Sequence, residues 1–430
     1  MLLTLLIVLL FLFIFLGMDI AWSIGLSSLI YIGLTQFSPR PINPVLFVQE
    51  LTAGVDSFTL LSIPMFILAG ELMSRTSVVP RLIEMAYAFV GHKPGGLGNV
   101  CITANLFMAG TSGSAVADAA AIGTAMVPQM EQRGYPRRYA AGIISAAACM
   151  APIIPPSIMF ILLGAIANIS VGQLFMAGII PGFIMYFALT AVNRWLAVRN
   201  GFERGEKAGW PERRRMILRG LPALGAPVIV VLTKVMGIAT PTESAAIVVL
   251  YVMALGVFFY RDLSLSVFVR SAMGAAMTSA AIMMTVATSQ IFGTLAIMAG
   301  VGTVVETGLR AISENPWIIL LIVNIALIIL GTVMEPVPLM LILSPILFPM
   351  LGAMGIDPIH LGVVLVFNLV LGGVTPPVGL NLFIMARVSR LPMMEVFRGG
   401  LPFYLVLYAV LMLLTYVPQL TLFIPELLMR

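Results

Sequence analysis

Two stretches of this chain break their helices at matching places. Gly110 to Phe160 opens GTSGSAVADAAAIG, and Gly331 to Asn381 opens GTVMEPVPLMLILS. Sliding the first onto the second by 221 positions needs no gap. It sets Gly110 on Gly331, Thr111 on Thr332, Pro128 on Pro349, Gly134 on Gly355 and Pro155-Pro156 on Pro376-Pro377. Between these marks apolar residues fall on apolar residues. Irregular backbone at membrane depth is tolerated only where it lines a cavity or is buried in protein. Paired interruptions in two half-chains therefore point to an internally duplicated membrane transporter.

Composition agrees. The chain has 430 residues, 60% of them hydrophobic and 10% charged, so its solvent must be lipid. Apolar runs of about 15 to 25 residues recur from end to end, the length a helix needs to cross roughly 30 Å of hydrocarbon. The longest polar stretch, Arg194 to Arg219, is too short for a soluble domain. Leu2 to Leu16 lacks a basic flank and a cleavage site, and reads as a retained span. The net charge of +5 comes mostly from loops, a topology signal and not a nucleic-acid surface. Cys101 and Cys149 lie in apolar segments and give neither a disulfide framework nor a zinc spacing. His92 and His360 stand far apart at segment ends, against a His metal site or a catalytic triad. No nucleophile–base pair or paired carboxylates stand out, so no enzyme is expected.

The fold class expected is an all-α polytopic membrane protein of two inverted-topology repeats, each with a re-entrant helical hairpin and a broken helix. The first repeat, 1–193, divides into spans within 1–74, a surface arm helix 75–93, a re-entrant hairpin 97–130, a broken span 139–168 and a span 172–193. A basic cytoplasmic linker, 194–220, carries eight Arg or Lys against three Glu, namely Glu203, Glu206 and Glu212. The second repeat, 221–430, has spans near 221–236, 241–260 and 272–290, an arm 296–315, a hairpin 317–350, a broken span 359–386 and a last span 400–424. The feet of the first hairpin carry Lys93, Arg133, Arg137 and Arg138, whereas the equivalent foot Gly352 to His360 has no Arg or Lys. Inversion of the halves explains that difference. The basic feet and linker then lie in the cytoplasm and both termini outside.

Four breaks carry the candidate site: 110–114, 151–157, 331–336 and 372–379. Helix-end N–H groups favour anions such as a carboxylate. Carbonyl and hydroxyl oxygens are hard donors suited to a small cation such as Na⁺. Two tips and two broken spans meeting at mid-membrane would give two symmetry-related cation sites flanking one substrate site. The substrate set read here is Ser112, Gly113, Ser114, Asn105, Pro155, Ser157, Glu335 and Asn381. The Na⁺ candidates are Gly110, Thr111, Ser112, Pro152, Pro155, Gly331, Thr332, Gly372, Thr375, Pro376 and Gly379. The bland alternative, that each break is only a kink relieved by packing, suits a lone Pro-Pro better than four breaks in register. Asp118 fits either tuning of a cation site or capping. Asp19, Asp56 and Glu71 read as interface residues. Thr240-Pro-Thr-Glu243 reads as a structural capping box, and the Ala-rich runs 115–125 and 140–148 as close helix packing.

GTSGSAVADAAAIG (110–123), MAPIIPPSI (150–158), ATPTESAA (239–246) and GGVTPPVGLNLF (372–383) together resemble the large membrane subunit of tripartite ATP-independent periplasmic (TRAP) transporters, over essentially the whole chain. The resemblance implies a bacterial inner-membrane secondary transporter. It would be driven by Na⁺ without a soluble cofactor and would import an organic acid of sialic acid or C4-dicarboxylate type. It implies two partners, a small four-helix membrane subunit on a separate chain and a periplasmic substrate-binding protein, besides membrane lipid. It further implies an elevator motion of hairpins and broken spans against the remaining helices, with each tip and its break forming one Na⁺ site. A standalone sodium/anion symporter of the same fold, a channel and an intramembrane enzyme are the alternatives.

Overall fold

The computed structural model of this chain describes residues 2–39, 41–202, 205 and 209–429, with the side chains of residues 2–4 and of Thr111 outside the description. Among the described residues every regular element is helical. Helices α1 (Leu2–Phe15) and α2 (Ile20–Thr35) fold back at Gly17, whose φ of 81° is a left-handed turn that glycine adopts freely. Asp19 caps α2 by accepting from the Ala21 N–H at 3.0 Å. Next come α3 (Val45–Val55), α4 (Ser62–Arg75), led in by a 3₁₀ turn at Phe58–Leu61, and α5 (Val78–Val90). The first hairpin is α6 (Gly96–Ser112) with α7 (Ala115–Gln132). The first broken span is α8 (Arg137–Ala148) with α9 (Ile158–Ile166), and α10 (Val171–Asn200) follows.

The second half repeats the order. After α11 (Trp210–Gly220) come α12 (Gly225–Val235), α13 (Pro241–Ala254), α14 (Leu265–Met298) and α15 (Val301–Ile312). The second hairpin is α16 (Pro316–Gly331) with α17 (Pro336–Ala353), and the second broken span is α18 (Pro358–Gly372) with α19 (Leu380–Ser389). Helices α20 (Met393–Tyr416) and α21 (Gln419–Leu428) close the chain. The Pro155-Pro156 and Pro376-Pro377 bonds are both cis, so the duplication extends to backbone geometry. Helices α15 and α16 meet at 117°, which turns the arm sharply away from its hairpin. Seven helices among the described residues are long and apolar enough to cross a membrane. The protein is a multi-pass membrane protein.

Several elements differ from the sequence reading. The stretch 194–220 is not one linker. Helix α10 carries on for 30 residues, to Asn200, and α11 already begins at Trp210. Arginine is a good helix former and suits a helix C-terminus, so Arg194 and Arg199 prolong α10 instead of ending it. The Arg199 guanidinium lies 5.5 Å from the Trp195 ring centroid, a cation–π contact along the same helix. Glu203, Arg204, Glu206 and Lys207 lie outside the described residues. Helix α14 runs for 34 residues, well past the 272–290 span, and takes in the start of the arm read at 296–315. The last span read at 400–424 is two helices, parted beside Pro418, which cannot donate to the preceding turn. Helix α3, eleven residues long, occupies a stretch left unassigned between the Pro-rich turn and the next span.

Packing sorts the helices into two groups. Helix α14 lies against α2, α3 and α4, α13 packs on α4 and α12, and α1 packs on α2. Around the hairpins, α8 packs on α20 and α7, α19 on α7, α17 on α9, and α10 on α6, α18 and α20. Helices α10 and α20 therefore side with the hairpins and broken spans, not with the scaffold. Each repeat ties its hairpin, broken span and long helix by a buried asparagine. Asn193 donates to Gly95 O at 3.1 Å and Asn99 Oδ1 at 2.7 Å, while the Tyr139 hydroxyl donates to Asn193 Oδ1. Asn324 donates to Thr415 Oγ1 at 2.9 Å, and Asn368 donates to Asn324 Oδ1 at 2.9 Å. These bonds pair buried amide groups that would be costly to leave alone, although Asn368 Oδ1 has no partner among the described residues, and they bind three helices of each repeat into one body. The seam between the two groups runs where α14 meets α17 and α4 meets α6.

Candidate functional site

Each hairpin tip is docked on the break of its own repeat. At the first tip Gly113 has φ 60°, and a Cβ there would stand 2.8 Å from Pro156 O and 3.1 Å from Ile158 N. Only glycine combines that conformation with that approach. Ser112 Oγ donates to Asp118 Oδ1 and accepts from Ser114 N at 3.2 Å, which fixes the turn between the half-helices. Asp118 is fully buried on α7, and its Oδ2 has no hydrogen-bond partner among the described residues. The carboxylate therefore holds the tip through Ser112 instead of capping α7. Capping of α7 falls to Ser114, which accepts from Ala117 N.

The second tip meets its break through backbone hydrogen bonds. Val378 N and Gly379 N donate to Thr332 O at 3.2 and 3.3 Å, while inside the broken span Asn381 N donates to Gly373 O at 3.0 Å. A Cβ on Gly372 would lie 2.6 Å from Gly331 Cα, so the two glycines permit backbone contact here. Thr332 Oγ1 donates to Ile329 O at 2.7 Å and Thr375 Oγ1 to Leu371 O at 2.7 Å. Thr375 also pairs with the Tyr408 hydroxyl of α20. Position 339, which the 221-residue shift sets on Asp118, is leucine, and position 335, set on Ser114, is glutamate, so each tip carries one carboxylate at a different place. No cluster of His, Cys, Asp and Glu with metal-ligand geometry exists among the described residues, and the candidate donors at both tips are neutral oxygens. Such a set fits a monovalent hard cation better than a transition metal.

A cavity of about 510 Å³ opens between the two tips and the scaffold. Its hairpin wall consists of helix starts: Ala115 of α7, Ile158 of α9, Pro336 of α17 and Leu380 of α19 all line it. Four half-helix N-termini, each the positive end of a helix dipole, converge on one space, although α17 opens Pro336-Val337-Pro338 and has only the Val337 N–H to offer in its first three residues. The opposite wall comes from α2, α4 and α14, through Asp19, Glu71, Thr278 and Thr285.

Of the residues singled out from the sequence, Ser112, Gly113, Ser114, Pro152, Glu335 and Asn381 line this cavity. Asn105 is buried behind it, donating to Cys101 O at 2.8 Å. Ser157 faces its own backbone, donating to Pro152 O and capping α9 through Phe160 N at 3.2 Å. Gly110, Pro155, Gly331, Thr332, Gly372 and Gly379 sit at the tip–break contacts, Thr375 and Pro376 lie within the second break, and none of the eight is on the cavity wall. Thr111 lies in the last turn of α6, with its side chain outside the described residues. Thr240 and Glu243 form the capping box of α13, with Glu243 N donating to Thr240 Oγ1 at 3.2 Å and Thr240 N to Glu243 Oε2 at 2.7 Å. Sequence reasoning passed over the scaffold wall. Asp19 and Glu71 read as interface residues, and nothing marked Thr278 or Thr285. Two threonines seven residues apart on one helix, hence on one face, were the available signal.

Two hairpins and two broken spans around a cavity faced by helix N-termini define a secondary transporter of the repeat type. The model of the family described as the tripartite ATP-independent periplasmic transporter, DctM component, matches residues 7–420, and the chain belongs to that family. It is 37% identical to the 2,3-diketo-L-gulonate TRAP transporter large permease protein YiaN of Escherichia coli, over 94% of each chain. It is 35% identical to the sialic acid TRAP transporter large permease protein SiaM of Vibrio cholerae and to the C4-dicarboxylate TRAP transporter large permease protein DctM of Rhodobacter capsulatus, over 96% of each chain in both cases. Its fold is similar to that of the Alcanivorax borkumensis YdaH transporter, whose crystal structure was described as having an unusual topology. That TM-score is 0.65 at 13% identity, covering 93% of this chain and 97% of the other. The three relatives are named as large permease proteins.

Proposed function

We propose that this chain is the transport subunit of a Na⁺-coupled, binding-protein-dependent importer of an organic acid across the bacterial inner membrane. One observation carries the reading: four half-helix N-termini face one cavity at the seam between hairpins and scaffold. Helix N-termini bind a carboxylate without a fixed cation, so they can release it after transport. Na⁺ travels as co-substrate. In the first half it would be held at Ser112 and Pro152 and in the second at Thr332 and Thr375, where neutral oxygens cluster at tip and break. Its charge would offset that of the incoming anion and draw each tip onto its break. The asparagine-tied body of hairpins, broken spans, α10 and α20 then slides along α4 and α14, carrying the site from one side to the other. A periplasmic binding protein delivers the acid, and a small membrane subunit braces the scaffold. The basic ends of α10 and α11 lie in the cytoplasm, with both termini outside.

The test is uptake into liposomes holding this chain with its small membrane partner. A labelled organic acid is supplied on a cognate binding protein, with and without an inward Na⁺ gradient. Uptake requiring both Na⁺ and the binding protein supports the reading. Uptake with Na⁺ alone would make the chain a standalone symporter.

A further inference from the structure

The helical run Trp210–Val235 comprises α11, a 3₁₀ turn at Leu221–Leu224 and α12. It is the least buried of the seven spans among the described residues, with 22% of its apolar stretch buried against 39% or more in the others. Its exposed side is one continuous stripe. Trp210, Arg214, Leu218, Leu221, Val228 and Leu232 are all exposed and fall four, four, three, seven and four residues apart, the spacing of a single helix face. Filling the hydrocarbon takes about 20 residues, which Met216 to Val235 supply, so Arg214 and Arg215 fall at headgroup level with Trp210 a turn beyond. An arginine on a lipid-facing stripe, with leucines on the hydrocarbon side and a tryptophan on the water side, has phosphate within its reach.

A second helix end brings its own cation to the same place. Helix α13 ends in a π turn, Leu255–Phe259, which leaves Phe258 and Phe259 exposed. The Tyr260 hydroxyl then donates to Arg219 O at 2.9 Å, on the side of α11 where Arg215 stands one turn earlier. Arg261 follows, exposed, with a φ of 57° that a residue with a Cβ adopts at a cost. Arg214, Arg215, Arg219 and Arg261 form no ion pair among the described residues, whereas Arg137, Arg138 and Arg398 all do. The acids nearby are Glu212 on α11, Glu84, which pairs with Arg81 at 3.0 Å, and Asp262, which accepts from Ser77 N at 2.6 Å.

We propose that the ends of α11 and α13 hold one anionic phospholipid of the cytoplasmic leaflet. Its phosphate lies on Arg214, Arg215 and Arg261, and an acyl chain runs along the exposed leucines and valine of the stripe. Charge complementarity selects an anionic headgroup over a zwitterionic one. The choice of leaflet rests on the orientation proposed for α10 and α11. Helix α11 also packs on the arm α5, with Arg81 O and Met85 against Gly220. A bound lipid therefore steadies the scaffold where that arm leaves it for the first hairpin.

The experiment uses the purified transporter, this chain with its membrane partner, in detergent. Retained lipid is counted by native mass spectrometry while phosphatidylglycerol or phosphatidylcholine is titrated in. The expected result is one phosphatidylglycerol retained at a concentration tenfold or more below phosphatidylcholine. The double variant Arg214→Gln/Arg215→Gln should narrow that ratio at least fivefold, and Arg214→Lys/Arg215→Lys should keep most of it. Arg398→Gln, which removes an arginine paired elsewhere, should leave it unchanged. Equal retention of the two lipids, or an unchanged ratio in the Gln pair, would overturn the inference and leave these arginines a topology signal alone. Inorganic phosphate abolishing the preference would overturn it in favour of a free-anion site. A cross-link from Leu218→Cys to the small subunit would overturn it by giving the stripe to that partner. Orientation is read separately with Gly209→Cys, since Cys101 and Cys149 are buried. Labelling of that thiol from the periplasmic side of intact cells would overturn the proposed orientation and leave the headgroup site standing.

Discussion

Gly113 decides whether the first tip can close on its broken span. An alanine there must hold φ near 60°, at a cost of roughly 1–2 kcal/mol, and must push against Pro156 O at 2.8 Å. We expect Gly113→Ala to lower the unfolding temperature and cut uptake tenfold or more, measured on the same purified sample. Wild-type behaviour would mean that the tip does not pack on the break during transport. Ser112 tests a different property of the same turn. Its hydroxyl proton is committed to Asp118 and one lone pair to Ser114 N, which leaves a single oxygen lone pair for a cation. Ser112→Ala should raise the Na⁺ concentration for half-maximal uptake severalfold, and Thr375→Ala should do the same at the second site. Unchanged Na⁺ dependence in both variants would remove the tips from the coupling mechanism.

At the scale of elements, stability rests on how closely helices of the two repeats approach. Helix α8 crosses α20 with Gly142 against Gly400, where a Cβ on Gly142 would fall 2.3 Å from Gly400 N. Gly142→Ala must part the helices or strain them, for a cost of about 1–3 kcal/mol, visible as a lower unfolding temperature. Asn324→Ala would remove the Oδ1 that Asn368 donates to at 2.9 Å and the amide that donates to Thr415 Oγ1, while the backbone O at 3.1 Å remains, and should cost about 1–2 kcal/mol by the same assay. The hairpins and broken spans were legible in the sequence because glycine and proline mark them chemically: GTSGS ends α6, PIIPPS interrupts α8 from α9, and TPPVG interrupts α18 from α19. The lengths of α10 and α14 were not legible. An all-apolar helix shows no stripe whose end can be read. Arg194 and Arg199 look like loop residues, yet they extend a helix that has left the apolar region. Capping was legible at Thr240, whose Pro and Glu follow at fixed positions, and was left open at Asp118, which bonds to Ser112 while Ser114 caps α7.

The whole molecule is a body of hairpins set against a scaffold, with the cavity between them. The scaffold half of that cavity was the least legible part of the site. Asp19, Glu71, Thr278 and Thr285 come from three helices that no motif links, and only the packing of α2, α4 and α14 brings them together. The hairpin half was legible because its residues share the breaks that the duplication repeats. Filling the cavity from the scaffold side separates folding from function. Ala281 lines the cavity on α14, so Ala281→Trp should abolish uptake and leave the unfolding temperature within a few degrees of wild type. Retained uptake would place the substrate path elsewhere. The most direct measurement is an experimental structure of the assembled transporter with its organic acid bound. This account predicts the carboxylate within hydrogen-bond distance of backbone N–H groups at the starts of α7, α9, α17 or α19. Density for the acid outside the seam, or a carboxylate held by an arginine or lysine, would contradict it.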